Sequence, residues 1–246
     1  MLLELTGVAL TGRLFPFSAQ VKAGQVIHLV GPNGAGKSSL LMAIAGLLAA
    51  RGEVQFAGHA LADWPGMALA RQRAYLAQQQ PPPGQMPVWH YLLMHMQQQG
   101  EAHHATLLTL AQALQLSDKL SRPLTQLSGG EWQRVRLAAV LLQVSHPDGK
   151  LLLLDEPLTG LDIAQQAAFD RLLPALTQQG VSVIMSSHDI NHSLRYADCV
   201  WLMRPGQYAL QGHPQDVLTP EHLSALYQVS FRMLDIEGQA MLTTIS

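Results

Sequence analysis

The chain has 246 residues, enough for one large α/β domain with a helical insert. Only 13% of them are charged, about half the usual share of roughly 25%, and the net charge of −2 excludes a polybasic field for nucleic acid or anionic lipid. One cysteine, no apolar run near the ~18 residues of a bilayer span, and a start without a basic segment predict a chain of the reducing cytoplasm with neither disulfide nor signal peptide.

Taken in order, residues 26–30 read as a strand, 31–36 as a glycine-punctuated loop and 37–48 as a helix. A short strand and turn follow at 52–58. The Gln- and Pro-rich stretch 78–87 cannot be regular and marks a boundary between lobes. From 88 to about 120 the pattern is helical, with Trp89, Leu92, Leu93 and Met96 on one face. Ser128 and two glycines open a helix over 131–143. The four leucines 151–154 read as a strand buried on both faces, and 181–185 and 200–203 as two more. Met94, Met96 and Met185 read as core fillers. The fold class is α/β: a mainly parallel sheet flanked by helices and interrupted by a helical lobe.

Three stretches carry chemistry. Gly31-Pro32-Asn33-Gly34-Ala35-Gly36-Lys37-Ser38 fits the phosphate-binding pattern of a P-loop NTPase, in which backbone N–H groups and a helix N-terminus face the phosphates. There Lys37 contacts the β- and γ-phosphates and the Ser38 hydroxyl ligates Mg²⁺. Leu154-Asp155-Glu156 ends a buried strand, which delivers Asp155 beside the magnesium and places Glu156 to polarise an attacking water. Leu127-Ser128-Gly129-Gly130-Glu131 is a second helix start suited to phosphate. It reads equally as a capping box, and both readings hold together.

The order of these motifs resembles the ATP-binding domains of ABC transporters over essentially the whole chain. The resemblance implies a RecA-like core with an antiparallel β subdomain and an inserted helical subdomain. The core takes residues 1–78 and 150–246 of a single domain, and the signature lobe takes 79–149. It implies that ATP and Mg²⁺ are bound by Gly31 through Ser39, with Ser38, Gln78 and Asp155 at the metal and Lys37, Gln78, Glu156 and His188 serving hydrolysis. It makes Ser128, Gly129 and Gly130 the signature that covers ATP held by a second copy, with Asp162 at the dimer interface. Adenine is expected to stack on Arg13 or Phe15.

With one P-loop and one signature, a lone copy leaves its site half built, so a homodimer is expected; pairing with a different ABC subunit is the alternative. The resemblance also implies a separate permease dimer, a periplasmic binding protein and a place on the cytoplasmic face of the bacterial inner membrane. Stretches 74–80, 87–92, 126–142 and 234–238 resemble the importer branch that carries cobalamin, with iron-siderophore and haem importers as the alternative.

Overall fold

The structure, a computed structural model, describes residues 1–96 and 101–245. Its centre is a six-stranded sheet in the order β10-β9-β3-β8-β7-β6. Five strands run parallel: β3 (Val26–Val30), β6 (Arg73–Leu76), β7 (Leu151–Leu154), β8 (Ser182–Ser187) and β9 (Cys199–Leu202). The short β10 (Leu210–Gly212) closes one edge antiparallel. The leucines of β7 are buried throughout, as covering both faces of a parallel sheet requires.

A separate antiparallel sheet precedes and flanks the first: β1 (Leu3–Leu10), β2 (Leu14–Val21), β4 (Arg51–Phe56) and β5 (His59–Ala60), in the order β2-β1-β4-β5. Along β2, Leu14, Phe17, Ala19 and Val21 turn inward while the residues between them meet solvent. Helix α1 (Lys37–Ile44) packs Leu40, Leu41 and Ile44 between this sheet and the central one. It stops short of residue 48 because Gly46 takes a positive φ of 67°.

The short helix α2 (Gly66–Gln72) packs Leu69 into the same apolar cluster as α1, and on the opposite face lie α3 (Val88–Met94), α4 (Glu101–Ala113), α5 (Gly129–Val144) and α6 (Ile163–Gln178). One apolar cluster joins α3, α4 and α5 to β6, β7 and α6, so the helical lobe shares its core with the sheet. The helical stretch expected over 88–120 is two helices, and residues 97–100 between them lie outside the described residues. The buried face of α3 is Val88, Tyr91 and Leu92; Trp89 points out and stacks on His90. Starting the helix at Val88, directly after Pro87, rotates Trp89 about 100° from that face. Met94 is likewise exposed, whereas Met185 is fully buried.

The chain ends with α7 (Ile190–Tyr196), α8 (Pro214–Val217), α9 (Pro220–Tyr227) and the hairpin β11 (Phe231–Ile236) and β12 (Gln239–Thr244). These cover the remaining face of β3 and β9 through Val30, Val200, Leu202, Leu218 and Leu223.

Candidate active site

Register places the chemistry. Val30 of β3 is opposite Ser187 of β8, Met185 of β8 is opposite Leu154 of β7, and Leu154 is opposite Leu76 of β6. The loops carrying Gly31, His188, Glu156 and Gln78 therefore leave the sheet along one edge, at the carboxyl ends of parallel strands. Open α/β sheets bind ligands there.

Gly12, Arg13, Asn33, Gly34, Gly36, Lys37, Ser38, Ser39, Gln78 and Glu156 line a cleft of about 470 Å³ at this edge. The loop feeding α1 needs its glycines. A Cβ on Gly36 would sit 2.6 Å from the Arg13 carbonyl oxygen, and one on Gly31 would sit 2.4 Å from that of Met203. Gly31 and Pro32 lie behind the cleft and turn their carbonyls to Lys37, whose Nζ donates to both at 2.7 and 3.1 Å. Ala35 is packed into the core. Burial holds the Lys37 ammonium below the usual lysine range, against the opposing pull of Glu156 and Asp155.

The acidic pair is divided by burial. Asp155 is 2% exposed, and its Oδ1 accepts a hydrogen bond from Ser186 Oγ at 2.7 Å. Ser186 Oγ also accepts the Glu156 N–H at 2.8 Å, which holds Glu156 at a φ of 50°, a left-handed conformation rare for a non-glycine residue. That turn aims the Glu156 carboxylate into the cleft, where Oε1 lies 2.7 Å from His188 Nε2. Burial disfavours the charge on Glu156. Hydrogen bonds from His188 and Gln78 and the nearby Lys37 outweigh it and hold the carboxyl below its ordinary range.

The donor set suits magnesium. A Ser38 hydroxyl, a Gln78 amide and an Asp155 carboxylate are hard oxygen ligands. Among the described residues no cluster of three His, Cys, Asp or Glu side chains gathers, so the remaining ligands would come from phosphate and water.

The start of α5 is elsewhere. Ser128 accepts the Glu131 N–H at 3.2 Å, and the Glu131 carboxylate accepts the Ser128 N–H at 2.8 Å, a complete capping box. Neither Ser128, Gly129, Gly130 nor Asp162 lines the cleft of its own chain. Asp162 caps α6 by accepting the Gln165 N–H at 2.8 Å. A Cβ on Gly130 would lie 2.9 Å from the Gly160 carbonyl oxygen, so the two helix starts are nearly in contact. Of the two adenine candidates, Arg13 lines the cleft, while Phe15 packs edge-on against Tyr208 at 4.8 Å.

Sequence reasoning missed what α5 does with its buried polar side chains. Trp132 Nε1 donates to the Gln80 carbonyl at 2.6 Å, Arg136 donates to the Ala77 carbonyl, and Gln133 Nε2 donates to the Pro157 carbonyl at 2.9 Å. One helix thus grips both sides of Gln78 and the loop behind Glu156. The available signal was Gln133, Arg134 and Arg136 inside an otherwise apolar helix, because buried polar groups must find partners.

A cleft with a lysine-bearing glycine loop, an acidic pair and a separate capped helix defines an ATP-binding cassette. The chain belongs to the ABC transporter family, whose pattern matches residues 14–159. It is 53% identical over 245 residues to the vitamin B12 import ATP-binding protein BtuD of Escherichia coli O157:H7 (strain EC4115 / EHEC), covering 98% of each chain. The protein of the same name from Shigella boydii serotype 18 is likewise 53% identical with 98% of each covered. Among solved structures, an ATP-binding subunit of an ABC transporter superposes with a TM-score of 0.78 at 26% identity, covering 94% of this chain and 96% of the other. Clostridium perfringens cbiO1, part of the cbiONQ transporter complex, shares the fold with a TM-score of 0.71 at 24% identity, covering 91% and 93%.

Proposed function

We propose that the chain is the ATP-hydrolysing subunit of a cobalamin importer, working as a homodimer beneath a separate permease dimer that receives cargo from a periplasmic binding protein. The extent of its identity to vitamin B12 import subunits supports the cargo. No described helix is long and apolar enough to cross a membrane, which fits attachment to the cytoplasmic face of the inner membrane through the permease.

The observation that carries the enzymatic reading is the convergence of Lys37, Ser38, Gln78 and Glu156 on one cleft, with Glu156 held ionised. Gly31 to Ser39 cradle the triphosphate, and Lys37 exchanges its loop carbonyls for phosphate oxygens. Glu156 orients and deprotonates the attacking water, and His188, 2.7 Å from Glu156, contacts the γ-phosphate. Magnesium on Ser38 and Gln78, with Asp155 behind, would neutralise charge on the phosphate oxygens. The partner's Ser128, Gly129 and Gly130 close the site, with Asp162 of each copy at the junction. Residues 1–78 and 150–246 act as the nucleotide-binding lobe and 79–149 as the lobe that presents the signature.

Proteoliposomes holding the chain with its co-purified permease test this. ATP-dependent uptake of labelled cobalamin is expected. Uptake of a ferric siderophore or haem instead would replace the cargo, and transport indifferent to ATP would overturn the reading altogether.

A further inference from the structure

Helices α6 and α7 follow the two loops that meet at the cleft: α6 descends from the Glu156 loop and α7 from the His188 loop. Two histidine–carboxylate pairs join these segments. The outer one is His188 Nε2 to Glu156 Oε1 at 2.7 Å, with His188 nearly half exposed. The inner one lies a helical turn further along α7, where His192 Nε2 donates to Asp170 Oδ1 of α6 at 3.0 Å. Both inner side chains are below 10% exposure.

The inner pair rests on the strand that feeds the phosphate loop. The ring of His192 stacks on His28 of β3 at 5.4 Å and 11°. His28 is fully buried, and its Nδ1 lies 3.0 Å from Ser193 Oγ. Ser193 Oγ donates to the Asp189 carbonyl at 3.0 Å, so its proton is committed and Nδ1 of His28 carries the hydrogen in their bond. Asp189 in turn caps α7 by accepting the His192 N–H at 2.8 Å. Tyr196 closes the far side of the His192 ring at 4.7 Å. The cap residue beside His188 is thereby fixed from β3, from α6 and from within α7.

We propose that the Asp170–His192 pair, seated on His28, positions His188 against Glu156, serving as the fixed pivot about which the outer pair opens and closes. Polar groups this deep are costly unless they hold something in place; Nε2 of His28 and Nδ1 of His192 are both buried and find no hydrogen-bond partner among the described residues. An apolar trio would pack β3 against α6 and α7 equally well, but it would not fix α7 by a directional bond. Asp170, His192 and His28 are positioning residues, acting on hydrolysis only through His188.

The inference rests on the ATPase reading above, and a double-mutant cycle on the full chain separates the two. Loss of turnover in His188→Ala establishes the ATPase reading by itself. His192→Phe and Asp170→Leu should each lower kcat about tenfold, with KM for ATP within twofold, while Asp170→Asn, which can still accept the His192 N–H, recovers at least a third of wild-type kcat. Placed on His188→Ala, either apolar substitution should leave the residual turnover, read at high enzyme concentration, unchanged. A full tenfold further loss on that background, or a lowered unfolding midpoint with unchanged kcat, would overturn the pivot. If His192→Phe fails to fold, the Asp170 variants decide by the same cycle.

Discussion

In the proposed mechanism Glu156 has to be two things at once, a charged base and a partly buried side chain. The structure reconciles them by giving its carboxylate cationic and amide neighbours and by fixing its backbone at positive φ through Ser186. Glu156→Gln keeps the shape and removes the base. ATP binding by that variant should stay within about threefold of wild type while turnover falls at least ~100-fold, as steady-state hydrolysis and equilibrium binding will show. His28 poses the opposite demand. Burial, with His192 alongside, pushes its imidazole down from 6.5 to about 3. Below 6.5 the unfolded chain takes a proton that the folded chain refuses, so stability falls as pH drops, by about 1.4 kcal/mol per unit. Between about pH 7 and pH 5, denaturant titration should record a loss of roughly 2 kcal/mol that His28→Leu removes. Glu156 does not confuse this window. Its folded-state pKa is depressed, so the stability it adds is present above the ordinary carboxyl value of 4.5 and fades only below it.

At the scale of elements, legibility followed how strongly each segment's pattern matched its burial. The strands β3 and β7 could be read because a run of apolar residues ends in a glycine or an acid where a loop must begin, and the start of α5 because Ser128 and two glycines precede Glu131. Of the antiparallel sheet only β4 was read from its residues, as the short strand at 52–58; β1 was visible only through resemblance, because it bends at register shifts that interrupt the period-two alternation. The short edge strand β6 was not read separately, since Arg73 and Tyr75 interrupt its apolar character. In the site, the P-loop and acidic pair were legible as local motifs. The α5 hydrogen bonds to Ala77, Gln80 and Pro157 were not, because the partners lie up to 59 residues away and only the fold brings them together. The same limit hid the His28–His192–Asp170 contact, which spans three segments of the chain.

For the whole molecule, the decisive arrangement is that Ser128 sits outside the cleft of its own chain. Ser128→Arg should therefore leave nucleotide binding by a single copy unchanged and abolish hydrolysis. Mixing it with a Lys37→Ala variant, itself inactive, should restore turnover to about a quarter of wild type, because half the pairs formed are mixed and each of those holds one complete site. Absence of any recovery in the mixture would rule out a site shared between copies. Helix α5 would give the proposed sharing a mechanical meaning. It is 16 residues long, roughly 24 Å as a straight rod, and its first turns bear both Ser128 and the side chains that clamp the Gln78 segment. Ser128, Trp132 and Arg136 ride on the same helix, so a rigid-body shift of its start would carry the side chains that hold the Gln78 segment. In the proposed homodimer, nucleotide held under Ser128 would therefore be linked to the Gln78 segment of the same copy through a single helix.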